Sequence, residues 1–172
     1  MSKTKVFRDL FIDQLQDIHN AETQLITALP KMAKAATTAV LKNAFIAHLE
    51  ETKGHVQRIE EILRTLDEKP TGVVCTAMKG IIAEGDENAG DTYTLEVRDA
   101  GLIAAAQRVE HYEMAAYGTA RSFALQLADK TSAKLLEQTL KEEGECNNKL
   151  THIAQSGVNQ RACDAQPVLQ NA

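Results

Sequence analysis

Apolar residues recur at steps of three and four along four long segments of this chain, and this spacing restricts the chain to amphipathic helices. The first segment is expected to bend or break at Pro30, and Thr131 is expected to cap the fourth. An all-α fold is therefore predicted. The segments are residues 4–35, 37–69, 92–127 and 131–156.

The connections between these segments predict how the helices are arranged. Residues 70–91 form a long, glycine-rich connection that keeps a short helical pattern at 73–87, whereas the other two connections are short. This order is typical of a ferritin-like antiparallel four-helix bundle, with one long crossover that contains a short extra helix. We expect residues 1–156 to form this domain and residues 157–172 to form a flexible tail.

Composition excludes several classes of function. The formal net charge is −5 and basic residues are not clustered, which argues against binding to nucleic acid. No apolar stretch is long enough to span a membrane. The three cysteines are far apart and lack zinc-site or disulfide spacing, so a reducing cytoplasmic location is expected.

Several glutamates fall on the apolar faces of the predicted helices. At about 100° per residue, Glu22 lies within the apolar stripe of the first segment and Glu143 within that of the fourth. On the third, Glu113 lies within the stripe and Glu110 at its edge. Burying an ionised carboxylate costs several kcal/mol unless it is paired or binds metal, and no matching set of inward Lys or Arg is present. We therefore expect metal ions between these helices.

The second segment adds imidazoles to this set. His48 lies inside its apolar stripe, Glu51 lies at the border, and His55 lies between the two. The sequence AHLEETKGH at 47–55 also aligns with TLKEEGECN at 139–147, which indicates two related helix hairpins. Carboxylates and imidazoles from four helices are the ligand plan of di-iron bundles, and this donor set suits iron or manganese and also accepts zinc.

Four phrases of the sequence follow one another in an order that is specific to one family. They are DQLQDIHNAETQLITALPKMAKAA at 13–36, HLEETKGHVQRIEEI at 48–62, AAQRVEHYEMAAYGTAR at 105–121 and LLEQTLKEEGECNNKL at 135–150. These phrases resemble the YciE/YciF-like ferritin-like proteins of bacteria, which belong to the wider ferritin and rubrerythrin superfamily. The resemblance covers roughly residues 5–156 and implies a ferritin-like, dimeric bundle with a di-metal centre and a part in bacterial stress responses.

This resemblance also implies which residues bind metal. Two positions depart from the superfamily pattern: Gly54 stands where a histidine is usual, so His55 is the nearest imidazole, and Cys146 stands at the matching position of the fourth helix. From its position alone, Cys146 is interpreted as a small buried hydrophobic residue in preference to one that touches the site. His48 is interpreted either as a core histidine hydrogen-bonded to a neighbour or as a residue that orients Glu51, in preference to a metal ligand. The expected metal ligands are Glu22, Glu51, His55, Glu110, Glu113 and Glu143.

Two functions are compatible with these features. The first is a cytoplasmic stress protein that binds two iron ions, with manganese or zinc as alternatives, and has oxidase or peroxidase-like activity. The second is a non-enzymatic helical dimer that acts as a structural or partner-binding module and has a degenerate or empty metal site. In both cases we expect a homodimer that binds neither nucleic acid nor membrane.

Overall fold

The computed structural model describes residues 4–90 and 92–165, and all the regular secondary structure in these ranges is helical. The prediction of an all-α chain is therefore confirmed for the described residues. A π-helical turn, Ala154–Val158, joins the last two helices and contains Gly157 at a φ of 137°, a conformation that glycine adopts without strain. The helices are α1 Phe7–Ala35, α2 Ala39–Thr65, α3 Thr76–Asn88, α4 Leu95–Gln126, α5 Lys130–Ile153 and α6 Asn159–Asp164.

The four long helices form two antiparallel hairpins. In the first, the Arg8 guanidinium near the start of α1 donates to the Leu66 carbonyl just beyond α2, at 2.8 Å. In the second, the Gln107 amide on α4 donates to the Thr151 hydroxyl near the end of α5, also at 2.8 Å. The connections from α1 to α2 and from α4 to α5 are short, so the second helix of each pair turns back directly onto the first.

The two hairpins pack against each other through α1 with α4 and through α2 with α5. Near the start of α1 the Phe7 ring lies 4.9 Å from that of Phe123, and further along the Tyr112 hydroxyl donates to Asp17 at 2.6 Å. Residue numbers rise on α1 as they fall on α4, so these neighbours also run antiparallel. No helix in the described ranges combines the length and apolarity needed to cross a bilayer.

The core has two apolar clusters with buried polar side chains between them along each long helix. The first cluster includes Leu25, Phe45, Leu102 and Leu150. The second includes Phe11, Leu15, Ile59, Leu63 and Leu136. The helices therefore carry polar groups into the middle of the bundle, where apolar layers shield them from water on both sides.

The connection from α2 to α4 lies along α1 and contains α3. The Cys75 backbone N–H donates to the Asn20 side chain at 2.8 Å, and the Gln24 amide donates to the Cys75 carbonyl at 3.0 Å. The Cys75 thiol also accepts from the Met78 N–H at 3.4 Å and thus caps α3. The short helix predicted at 73–87 is present with slightly different ends.

Two local predictions were wrong. The break expected at Pro30 does not occur: α1 continues to Ala35, and burial of Leu29 and Ala33 on either side offsets the one backbone hydrogen bond that a proline removes. Thr131 does not cap α5, because Asp129 is a stronger cap and its carboxylate accepts from the Ser132 N–H at 3.0 Å.

The C-terminal segment is partly helical. The α6 helix extends through Asp164 and packs on α4, and Val158 is buried where the helices meet. The flexible tail predicted from residue 157 therefore begins with ordered structure. Residues 166–172, its last part, lie outside the described residues.

Asp99 stabilises the turn between α1 and α2, and we expect Asp99→Asn to lower the free energy of unfolding by about 1.5 kcal/mol. Its buried carboxylate accepts from the backbone N–H groups of Thr37 at 2.7 Å and Thr38 at 2.9 Å. An asparagine can accept only one of these bonds and leaves the other donor unpaired. Urea denaturation of the variant and the natural protein measures this difference in the free energy of unfolding.

Glu96→Gln, which removes an exposed charge from the same helix, is the control and should change stability by less than about 0.5 kcal/mol. Equal losses in both variants would contradict a specific role for Asp99.

Candidate metal centre

Glu22, His55 and Glu143 meet in the middle of the bundle from α1, α2 and α5. All three are fully buried, and one ligand atom from each lies within 4.8 Å of the others. The Nδ1 atom of His55 is 2.9 Å from a Glu143 oxygen and 3.3 Å from a Glu22 oxygen. Despite these short distances, neither Glu22 Oε2 nor either Glu143 oxygen makes a hydrogen bond of good geometry among the described residues. This group could hold a metal ion.

A second group combines His48 with Glu110, Glu113 and Glu143. These residues are all buried, and their ligand atoms again lie within 4.8 Å of one another. His48 Nε2 is 3.5 Å from a Glu110 oxygen. Both Glu113 oxygens and both His48 nitrogens are without a hydrogen bond in the part of the chain that the structure describes. Because Glu143 belongs to both groups, the two candidate metal positions are adjacent.

Cys146 lies at the edge of the second group. Its thiol donates to Glu110 Oε1 at 3.4 Å, and its sulfur is within 4.8 Å of ligand atoms of both His48 and Glu110. The residue is half-buried, so its interpretation as a small buried hydrophobic residue was incomplete. A thiol in this position touches the polar cluster directly.

Burial and mutual repulsion change the ionisation of these groups. Burial raises the pKa of Glu22 and Glu113, and it raises the pKa of Glu110 to about 8. Burial lowers the pKa of His55, but the facing Glu143 and Glu22 outweigh it and raise that pKa to about 10. Without metal, the cluster therefore retains protons at neutral pH, and a bound cation would replace them.

Outer contacts hold the inner residues in place. The buried Tyr117 hydroxyl donates to Glu22 Oε1 at 2.5 Å. On the other side, His55 Nε2 is 3.1 Å from Glu142, whose carboxylate also accepts from the Arg58 guanidinium at 3.0 Å. A partner on the second ring nitrogen orients a histidine and sets which nitrogen faces the metal. Glu142 thus links the centre to the surface.

The structure brings together five of the six residues predicted as ligands and leaves one outside. The exception is Glu51, whose side chain is 50% exposed and lies 3.6 Å from His48 Nδ1. Two residues that were not predicted as ligands, His48 and Cys146, join the cluster. The signal for His48 was present, since it lies in the apolar stripe. The residues brought together are Glu22, His55, Glu110, Glu113 and Glu143.

Comparison with known proteins identifies the family. Residues 6–163 match a family described as a domain of unknown function, DUF892. The chain is also 46% identical over 159 residues to protein YciF of Escherichia coli strain K12, which covers 92% of this chain and 96% of YciF. The chain belongs to the YciF-like DUF892 family. The family resemblance seen in the sequence is confirmed.

Solved structures of similar proteins share the fold of this chain. The crystal structure of the E. coli stress protein YciF has a TM-score of 0.87 at 46% identity, covering 91% of this chain and 99% of YciF. YcfI of Rhodopseudomonas palustris, whose description suggests a structural role, has a TM-score of 0.83 at 41% identity, with coverage of 86% and 94%. Protein XCC3681 of Xanthomonas campestris, at 21% identity and a TM-score of 0.72 over 92% of this chain, shows the fold alone.

Proposed function

We propose that this chain is a stress-associated, ferritin-like protein that holds two metal ions, iron or manganese, and uses them for oxidation by oxygen or peroxide. The observation that carries the proposal is the set of buried carboxylate oxygens without hydrogen-bond partners in the described residues. Burying each such group costs several kcal/mol, and the attraction of a bound cation offsets this cost.

The donor set fits this pair of ions. Glu22, His55 and Glu143 would hold one ion, and Glu110 and Glu113 with His48 would hold the other. Oxygen donors supplemented by imidazole suit iron and manganese. When bound, these ions supply Lewis acidity and redox chemistry that side chains lack.

The protein's own residues prepare this site in three ways. The carboxylates from three different helices neutralise the charge of the bound ions. Tyr117 holds Glu22, and Glu142 orients His55. The apolar clusters above and below exclude water, which strengthens every electrostatic interaction between them.

The bundle supports the ferritin-like part of the proposal. Neighbouring long helices run antiparallel, and the connection from α2 to α4 lies along α1, as in a bundle with one crossover. The stress association comes from the description of E. coli YciF as a stress protein. A cytoplasmic homodimer remains the expected form, and sedimentation velocity on the full chain would measure its mass.

A structural role without catalysis is the second candidate. The description of YcfI suggests such a role for a relative that is 41% identical. On α5, a cysteine also stands where the superfamily has a histidine ligand. In this alternative the bundle would bind a partner and the acidic cluster would bind little or no metal.

The test is the metal content per chain after anaerobic loading with iron(II) and removal of loosely bound ions. We expect about two ions in the natural protein, as in other di-iron carboxylate bundles. Glu22→Ala and Glu143→Ala should each lose metal, because each removes a ligand. Glu137→Ala, an exposed site on α5, is the control and should retain it. If the natural protein holds no metal tightly, the two-metal proposal is contradicted and the structural alternative is favoured.

A further inference from the structure

Cys146, His48 and Glu110 form a third cluster of ligand atoms, which shares two residues with the second metal position. The cysteine comes from α5, the histidine from α2 and the glutamate from α4. His48 is only 3% exposed, and within residues 4–90 and 92–165 neither of its ring nitrogens makes a hydrogen bond. The carboxylates of Glu51 and Glu110 lie 3.6 and 3.5 Å from these nitrogens, too far for a close hydrogen bond. A buried imidazole without a close hydrogen bond is costly unless something else binds it.

The distances suit a tetrahedral metal site. Ligand bonds of about 2.0 to 2.3 Å place neighbouring donor atoms roughly 3.3 to 3.8 Å apart in such a site. Cys146 Sγ lies 3.4 Å from Glu110 Oε1, and that oxygen lies 3.5 Å from His48 Nε2. The third separation, between Cys146 Sγ and a ring nitrogen of His48, is at most 4.8 Å, so one ion could contact all three donors.

A surface pocket between α2 and α5 leads to this cluster. Cys146 lies at the pocket, and three carboxylates and one amino group surround it. The net negative rim would attract cations toward the thiol. Glu51 lies outside the ligand cluster, but its carboxylate contributes negative charge at the mouth of the pocket. The charged residues of the rim are Glu51, Glu142, Glu145 and Lys149.

We propose that Cys146 is a metal ligand and that, with His48 and Glu110, it makes the second metal position a site for a borderline-soft divalent cation such as zinc, cobalt(II) or iron(II). This inference rests on the proposed two-metal function and deepens it. On binding, the S–H bond breaks, a metal–sulfur bond forms and the proton leaves to solvent, so no oxidant is required. Thiolate, imidazole and carboxylate together select zinc-like ions, whereas the oxygen-rich first position suits iron or manganese.

Cobalt(II) is the probe, because a thiolate bound to it produces an intense charge-transfer absorption in the near ultraviolet. We expect this band in the metal-free natural protein titrated with cobalt(II) under anaerobic conditions, saturating at about one equivalent. Cys146→Ser should lose the band and weaken binding of that cobalt ion by more than about 100-fold, since even residues that only orient ligands contribute 10- to 100-fold. Cys75→Ser and Cys163→Ser are the matched controls and should retain the band.

Cobalt content measured on the same samples separates the two proposals. Two bound cobalt ions without a thiolate band would overturn the role of Cys146 and leave the two-metal function standing, whereas no bound cobalt would overturn both. A band that persists in Cys146→Ser would assign the sulfur to another cysteine. X-ray absorption on the cobalt-loaded natural protein needs no variant: a sulfur neighbour at about 2.3 Å supports the inference, and its absence contradicts it.

Discussion

Glu113→Gln is expected to make the metal-free protein more stable while it weakens metal binding by about 100-fold or more. Glu113 is 2% exposed, and neither of its oxygens has a hydrogen-bond partner among the residues that the structure covers. Burial and the nearby Glu22, Glu143 and Glu110 raise its pKa well above the ordinary value. A neutral glutamine of the same shape removes this repulsion, with an expected gain of about 1–3 kcal/mol.

The sign of this gain follows from the pKa. A carboxyl whose pKa is raised by folding destabilises the protein once the pH exceeds its value in the unfolded chain, about 4.3. Below that pH both states are protonated, so Glu113→Gln should have little effect. The gain should then grow as the pH rises through the neutral range.

Urea denaturation at pH 5 and pH 8 without metal measures the gain, and metal titration at pH 8 measures the loss. Glu61→Gln, an exposed site on α2, is the matched control and should change neither quantity appreciably. A Glu113→Gln protein that is less stable and binds metal normally would show that Glu113 is a structural residue. The opposite changes in stability and affinity distinguish a binding site from a scaffold.

Most of the fold could be predicted because helix periodicity is a local property of the sequence. Stripes at steps of three and four place the four long helices within a few residues of their observed ends. The errors lie where two local effects compete. Asp129 and Thr131 are both of residue types that can cap a helix, and only Asp129 does so here. Pro30 removes one backbone hydrogen bond, which the packing of α1 outweighs.

The inward glutamates were also predictable, but the exact face of α2 was not. His48 and His55 are seven residues apart, about 20° short of two full turns, so they share one face of the helix. Glu51 is three residues from His48 and lies about 60° away, which places it at the exposed border. Aligning the two hairpins by sequence matched Glu51 with Glu143, although only the latter is buried.

The roles of Glu142 and Cys146 could not be predicted, because they depend on contacts between helices. The single-helix projection treats Glu142 as outward, yet Arg58 and His55 on α2 both reach it. Cys146 likewise meets Glu110 only because α4 and α5 pack side by side. Such contacts depend on the rotation and separation of neighbouring helices, which a single helix does not encode.

Metal binding is expected to reverse the pH dependence of stability. In the metal-free protein, burial raises the pKa of Glu110 from 4.5 to about 8. Burial lowers the pKa of His55, but the carboxylates of Glu143 and Glu22 outweigh it and raise that pKa from 6.5 to about 10. Both groups hold protons more tightly when folded. Their stabilising contribution is complete below the unfolded values and is lost as the pH rises toward 8 for Glu110 and toward 10 for His55.

Bound metal competes with those same protons, so the stabilisation by metal should increase between pH 6 and pH 8 and should reach about 4 kcal/mol at a thousandfold excess over the dissociation constant. Thermal unfolding with and without manganese(II) at the two pH values measures this difference, and calorimetry in two buffers of different ionisation enthalpy counts the protons released. Glu143→Ala should show no stabilisation at either pH, because Glu143 belongs to both metal positions. Equal stabilisation of the natural protein at both pH values, without proton release, would place the metal outside this cluster.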